Sequence, residues 1–271
     1  MIKIKNFNIG GGNPFVLIAG PCVVESEKLA FETAKELKEI TTELNIPFIY
    51  KSSYRKANRT SGSSFTGIGD NEAIDILSRI RKEFDIPVLT DFHLAEEIEK
   101  LNDAADILQI PAFLCRQTEL LIAAGKSGKI INIKKGQFLA PEDMKHAVEK
   151  VSSTGNKKIL LTERGTTFGY HNLVVDMRSL VIMKKLGYPV IMDATHSVQL
   201  PSAGVETSGQ PVFIKPLARA AAAVGIDGLF LEVHPEPEKA LSDAASQFPL
   251  RELKDLLVEI KSIDKIIKKY N

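Results

Sequence analysis

The sequence predicts an α/β fold, a (β/α)8 TIM barrel with a short N-terminal β-hairpin, organised as one domain over residues 1–271. Three observations carry that prediction. Apolar runs and amphipathic helical stretches alternate eight times at a spacing of roughly 30 residues, as a parallel sheet covered by helices requires. No Gly-x-Gly-x-x-Gly turn follows the first run, which weighs against an open dinucleotide-binding sheet. No shift in composition marks a domain boundary.

The first dozen residues, MIKIKNFNIGGG, alternate apolar and polar around Lys5 and Asn6 and predict a hairpin over 1–12 that closes the bottom of the barrel. The strands are predicted at FVLIAG (15–20), PFIYKS (47–52), PVLTD (87–91), ILQIPA (107–112), IINIKK (130–135), KILLTERG (158–165), PVIMDATH (189–196) and GLFLEVH (228–234). Such short apolar runs are what strands buried on both faces look like. A helix is predicted over 26–44, with Ser26 as its N-cap and Leu29, Thr33, Leu37, Ile40 and Leu44 on one face. Another spans 71–84, with Ile74, Leu77, Ile80 and Phe84 on one face. Further helices are predicted at 94–103, 117–126, 141–152, 172–186, 212–224 and 249–264. Long loops rich in Gly, Ser and Pro follow the second and seventh strands, over 55–70 and 197–211. They fall on the side of a barrel where substrate loops and lids sit.

Lys plus Arg number 35 and Asp plus Glu 34, so nothing in the balance attracts nucleic acid or an anionic membrane. No run approaches the ~18 apolar residues of a membrane span. The N-terminus lacks the apolar stretch of a secretory signal. Two cysteines, Cys22 and Cys115, make no disulfide framework, and a reducing cytoplasm is expected.

A closed parallel barrel gathers its strand C-termini on one face. Cys22, His196, Glu232 and Asp243 then form a candidate ligand set from the first, seventh and eighth units. A thiolate, an imidazole and two carboxylates suit zinc, iron(II), manganese or cobalt. On the residues alone, Cys22 reads equally well as a small buried hydrophobe and His196 as a hydrogen-bonded core residue. Cys115 reads as a packing residue, and His171 and His234 have no clear partner. Lys51, Lys56, Arg59, Arg116, Lys134, Lys135, Arg164 and Lys215 are the cations at or near strand ends. Lysines closing apolar strands point into the mouth, and Arg164 suits a phosphate or carboxylate clamp. Salt bridging to Asp91, Glu163 and Asp193, or a Schiff-base lysine at Lys51 or Lys134, are the competing uses. Asn58, Arg59 and Ser61 lie in a polar loop suited to a phosphorylated sugar.

IAGPCVVES (18–26), KSSYRKANRTS (51–61), TDFH (90–93), LQIPAFLCRQT (108–118), INIKKGQF (131–138), ERGTTFGYHNLVVDMRS (163–179), DATHSVQ (193–199) and LFLEVHPEPEKALSD (229–243) together are specific. Over about residues 13 to 265 the chain resembles the 3-deoxy-D-manno-octulosonate 8-phosphate synthases. The resemblance implies a (β/α)8 barrel that condenses phosphoenolpyruvate with D-arabinose 5-phosphate and water and releases phosphate, on the route to lipopolysaccharide.

It also implies roles residue by residue. Cys22, His196, Glu232 and Asp243 match the ligands of the metal-dependent branch; an Asn at the position of Cys22 marks the metal-free one. Lys51, Lys56, Gln109, Lys134 and Arg164 match the phosphoenolpyruvate site. Asn58, Arg59 and Ser61 match the sugar-phosphate site. Arg116 matches a residue that reaches a neighbouring subunit's site in a homotetramer. Lys56, Asp91, His196 and Asp243 are the catalytic candidates, with the proton-transferring group left open among Asp243, Glu232 and Asp91. The sibling 3-deoxy-D-arabino-heptulosonate 7-phosphate synthases, which take erythrose 4-phosphate, read KPR where this chain reads KANR, so Asn58 is the local discriminator. The segment over 197–211 departs from the family pattern, though Ala203-Gly204 would still permit it to close.

Overall fold

The computed structural model describes residues 1–58, 64–201 and 208–270. The chain opens with an antiparallel hairpin, β1 (Ile2–Ile4) and β2 (Phe7–Ile9), in which Ile2 faces Ile9. Then follow β3 (Val16–Gly20), α1 (Glu27–Glu43), β4 (Phe48–Lys51), α2 (Asp70–Glu83), β5 (Val88–Asp91), α3 (Glu97–Lys100) and β6 (Ile107–Ile110). After these come α4 (Thr118–Lys126), β7 (Ile130–Lys134), α5 (Met144–Ser152) and β8 (Ile159–Glu163). A ribbon of β9 (Thr166–Thr167) and β10 (Leu173–Val174) precedes α6 (Arg178–Lys184) and β11 (Val190–Asp193). A second ribbon, β12 (Gln199–Leu200) and β13 (Ser208–Gly209), precedes α7 (Ile214–Val224) and β14 (Gly228–His234). The short β15 (Phe248–Pro249) and α8 (Leu253–Ile267) follow.

Strands β3 to β8 pair in order, β8 pairs with β11, β11 with β14, and β14 returns to β3, all parallel. This is the closed (β/α)8 barrel that the alternation predicts. Closure needs β3 and β4 close together at their C-terminal ends: a Cβ on Gly20 would lie 2.0 Å from the Lys51 carbonyl oxygen. Only glycine fits there.

Alternate residues of a strand share a face, so one face of each strand lines the barrel interior. Toward the strand N-termini that lining is apolar. Val16, Ile18, Ile49, Leu89, Ile107, Ile130, Leu160, Ile191 and Phe230 pack in one cluster with Ile2, Ile4 and Ile9. The hairpin therefore plugs the bottom of the barrel, as its alternation predicts. Two residues further along, the same faces carry Lys51, Asp91, Gln109, Asn132, Thr162, Asp193 and Glu232, all buried. The interior thus changes from hydrocarbon to charge within one step of each strand.

Helix positions follow the predicted periodicity with local differences. Ser26 caps α1, its hydroxyl accepting the Leu29 amide at 3.2 Å. The buried face of α1 is Ala30, Thr33, Ala34, Leu37 and Thr41, so Leu29, Ile40 and Leu44 sit at its margin rather than its centre. The helix expected over 172–186 shortens to Arg178–Lys184, because Leu173 and Val174 pair with Thr167 and Thr166 instead. That expected over 94–103 shrinks to Glu97–Lys100.

Candidate active site

The change from apolar to charged lining opens a cavity of about 480 Å³ at the strand C-termini. Lys51 ends β4, Asp91 ends β5, Gln109 lies in β6 and Lys134 ends β7, and all four line it. Arg164, one residue past β8, and His196, in the turn after β11, close the ring, with Asp243 from the segment after β14. Lys56 and Asn58, from the loop after β4, also line it. Cys22 and Glu232 are completely buried beside it.

Ligand atoms of Cys22, Glu232 and Asp243 all lie within 4.8 Å of one another. The Cys22 sulfur is 3.0 Å from the Ser242 hydroxyl and 3.2 Å from Asp243 Oδ2. Asp243 reaches it from a left-handed backbone, φ 50° and ψ 33°, a conformation that side-chain-bearing residues adopt mainly where surroundings impose it. His196 stands one contact away, with Nε2 3.6 Å from Glu232 Oε1. Burial pushes the Cys22 thiol well up, and the carboxylates of Asp243 and Glu232 push it further. A divalent cation reverses that logic, since it stabilises the thiolate and balances both carboxylates. One sulfur, two carboxylates and a nearby imidazole suit a borderline divalent ion, so the residues present fit one.

Lys51 Nζ lies 2.6 Å from Glu232 Oε1, and Lys56 Nζ is 3.6 Å from the same oxygen. Burial opposes the Glu232 charge, but His196, Lys51, Lys56 and Lys134 outweigh it and hold the carboxyl well below its usual range. Lys134 Nζ lies 2.6 Å from Asp193 Oδ2, which also takes His196 Nδ1 at 2.7 Å. Both lysines stand over the Phe230 ring, at 5.5 Å and 4.3 Å from its centre, a face that favours cations. Asp193 orients His196 so that its Nε2 faces Glu232. Arg164 is buried, and its Nη2 donates to Gln199 Oε1 at 2.8 Å. Among the described residues its Nη1 has no partner. A buried guanidinium N–H left unpaired is costly, and an anion bound beside Arg164 would offset that cost.

A family model described as the DAHP synthetase I family matches residues 1–269. The chain belongs to the DAHP synthetase I family. Among curated relatives, a protein of Dichelobacter nodosus is 54% identical over 268 residues, covering 98% of this chain and 97% of its own. One from Francisella tularensis subsp. holarctica is 52% identical over 268 residues, 98% of each chain. One from Aromatoleum aromaticum is 55% identical over 270 residues, 98% of this chain and 97% of its own. Each carries the name 2-dehydro-3-deoxyphosphooctonate aldolase.

Within this family member, not every expected cation reaches the cavity. Lys135, next to Lys134, points to the opposite face of β7 and is fully buried, 3.4 Å from Glu163. Lys215 lies on α7 and pairs with Glu252 at 2.7 Å on the surface. Arg116 is exposed just before α4, away from the cavity lining of its own chain. Arg59, Ser61, Ala203 and Gly204 lie outside the described residues. His196 does not end a strand: β11 stops at Asp193, and His196 starts a short 3-10 turn. His171 is exposed and contacts the Pro201 carbonyl at 2.8 Å, whereas His234 is buried and accepts the Glu236 amide. Ser53, Asn132, Thr162 and Ser242 were not singled out by sequence reasoning, yet all are buried next to site residues. A period of two, stepping forward from Lys51 and back from Lys134 and Arg164, finds the first three.

Proposed function

We propose that this chain condenses phosphoenolpyruvate with D-arabinose 5-phosphate and water to give 3-deoxy-D-manno-octulosonate 8-phosphate and inorganic phosphate, a step toward lipopolysaccharide. One observation carries the reading: Lys51, Lys56, Lys134 and Arg164 converge on one cavity beside the Cys22, Glu232 and Asp243 group, in a chain whose relatives bear the name of that activity.

Phosphoenolpyruvate brings a phosphate and a carboxylate, and the four cations with Gln109 hold both. Asn58, with Arg59 and Ser61 from the same loop, holds the sugar phosphate. Fixing both substrates sets C3 of the enol against the aldehyde carbon and keeps bulk water out. When C3 attacks, the aldehyde oxygen takes a proton, and Lys56 is the nearby acid. Burial opposes its charge, but the carboxylates of Glu232, Asp91 and Asp243 favour it, so it enters the cycle protonated. Positive character at C2 faces the carboxylates of Asp91, Glu232 and Asp243. Water adds at C2, passing its proton to Asp91, Glu232 or Asp243, and the tetrahedral hemiketal phosphate loses phosphate by C–O cleavage. A divalent ion held by Cys22, His196, Glu232 and Asp243 (zinc, iron(II), manganese or cobalt) supplies orientation and polarisation of an oxygen at this site when bound.

On this reading the protein works in the cytoplasm as a homotetramer of one-domain barrels. The exposed Arg116, in the segment after β6, then belongs to a surface that meets a neighbouring subunit's site. No helix among the described residues is long and apolar enough to cross a membrane. The test is phosphate release from phosphoenolpyruvate with arabinose 5-phosphate and with erythrose 4-phosphate, before chelation, after it, and after return of each metal. Release with arabinose 5-phosphate is expected; release with erythrose 4-phosphate alone refutes the aldose assignment.

A further inference from the structure

Five consecutive strands join one run of hydrogen bonds through the barrel interior. From β8, the Thr162 hydroxyl donates to Asn132 Oδ1 at 2.6 Å. From β7, Asn132 Nδ2 donates to Gln109 Oε1 at 2.8 Å. From β6, Gln109 Nε2 donates to Asp91 Oδ1 at 3.0 Å. From the other side, Lys51 Nζ donates to the Ser53 hydroxyl at 3.2 Å, and that hydroxyl donates to Asp91 Oδ2 at 2.7 Å. All of these residues are buried, and the run meets at Asp91.

The run has a single polarity. An ionised carboxylate only accepts, so Gln109 must turn its nitrogen to Asp91 and its oxygen to Asn132. Asn132 must then offer its nitrogen to Gln109 and its oxygen to Thr162, whose hydroxyl must donate. Lys51 and Lys56 overcome the burial of Asp91 and bring its pKa to about 2, so it remains an acceptor at neutral pH. Gln109 lines the cavity, whereas Asn132 and Thr162 do not.

We propose that Asn132 and Thr162 are positioning residues that lock the Gln109 amide with its nitrogen toward Asp91, so that Gln109 offers the anionic substrate an N–H rather than a carbonyl oxygen. The role rests on the substrate reading above, since only an anion needs a donor there. Without the Thr162 hydroxyl, Asn132 Oδ1 is a buried acceptor with no donor, and the amide loses the contact that fixes which way it faces. A turned Asn132 sets oxygen against the Gln109 oxygen and presses Gln109 to turn in its place, oxygen against Asp91. No orientation then satisfies both.

The variants are Thr162→Val, which removes the hydroxyl at nearly constant shape, and Thr162→Ser, which keeps it. Thr162→Val should raise KM for phosphoenolpyruvate about tenfold, the size of one buried hydrogen bond, and leave KM for the aldose within about twofold. Thr162→Ser should restore KM. In a Gln109→Ala background Thr162→Val should add nothing further, because the pathway through the amide is gone. Asn132→Asp, which faces Gln109 with a second acceptor, should raise the same KM at least as far and keeps the test open if Thr162→Val folds poorly. Lowered thermal stability with unchanged KM in both folded variants overturns the role, as does a full effect of Thr162→Val in Gln109→Ala. A wild-type protein that releases no phosphate from phosphoenolpyruvate overturns the substrate assignment and this role with it; normal wild-type turnover with unmoved variants overturns the role alone.

Discussion

The Cys22 sulfur and a carboxylate oxygen of Asp243 lie 3.2 Å apart although 221 residues separate them in the chain. Burial and two neighbouring carboxylates make the free thiolate unfavourable there, while a divalent ion makes it favourable. Chelation should therefore abolish phosphate release, return of a divalent ion should restore it, and rebinding should release a proton measurable in weakly buffered solution. Cys22→Asn puts a neutral amide beside the same carboxylates. If the ion serves to orient rather than to ionise water, this variant retains slow turnover that chelator does not touch. A folded Cys22→Asn protein that binds phosphoenolpyruvate normally and shows no turnover at all contradicts the orienting role.

Lys51 and Glu232 form the most buried ion pair of the site, each side chain 1% exposed. Removing one partner of such a pair strands the other charge. Lys51→Met should cost about 3 kcal/mol in urea denaturation, at the lower end of that range because Lys56 and His196 remain near Glu232. Lys51→Met with Glu232→Leu should recover part of the loss, since two apolar groups replace the pair, and should remain inactive. Equal stability of Lys51→Met and wild type would show that the pair contributes nothing net.

Asp91 links the site to acid stability. Burial raises its pKa, but Lys51, Lys56 and the Ser53 hydrogen bond bring it from 3.8 to about 2. A depressed folded pKa contributes stability that is complete above the unfolded value and lost as pH falls through the folded one. The contribution, about 2 kcal/mol, is therefore present at neutral pH and disappears between pH 3.8 and about 2. Urea midpoints should fall over that window more steeply for wild type than for Asp91→Asn, and the gap between the two should narrow toward the acid end. Parallel curves would remove Asp91 from the account.

The barrel is legible in the sequence because hydrophobic burial writes it locally: Ile49, Leu89, Ile107, Ile191 and Phe230 each precede a polar site residue by two positions. The same period separates Lys134 from Lys135, which chemistry alone treats as equals, and it sends Lys135 to Glu163 behind the sheet. Charge without periodicity misleads in the same way at Lys215, which belongs to a helix surface. The ribbon of β9 and β10 is not legible, because Leu173 and Val174 continue an apparently helical pattern and only their partners Thr166 and Thr167 decide otherwise. Nor does any local spacing bring Asp243 to Cys22. That meeting depends on barrel closure and on one left-handed residue, neither of which leaves a mark in composition.

Lys134 tests the competing use of a strand-end lysine. A Schiff-base enzyme needs a buried amine with a lowered pKa, and burial does push Lys134 down. Its surroundings nevertheless engage the nitrogen from two sides: Asp193 Oδ2 at 2.6 Å and the Phe230 ring centre at 4.3 Å. An amine so held is an ammonium positioned to meet an anion, not a free lone pair facing a carbonyl. Borohydride in the presence of pyruvate or arabinose 5-phosphate should leave the mass and activity of the protein unchanged. Lys134→Gln should lower kcat/KM for phosphoenolpyruvate by about 100-fold, the cost of one buried charge-assisted contact. A reduced adduct on Lys134, found by peptide mass mapping, would replace direct attack by the enol with a covalent mechanism, because the carbon of that adduct identifies the carbonyl that the lysine had captured.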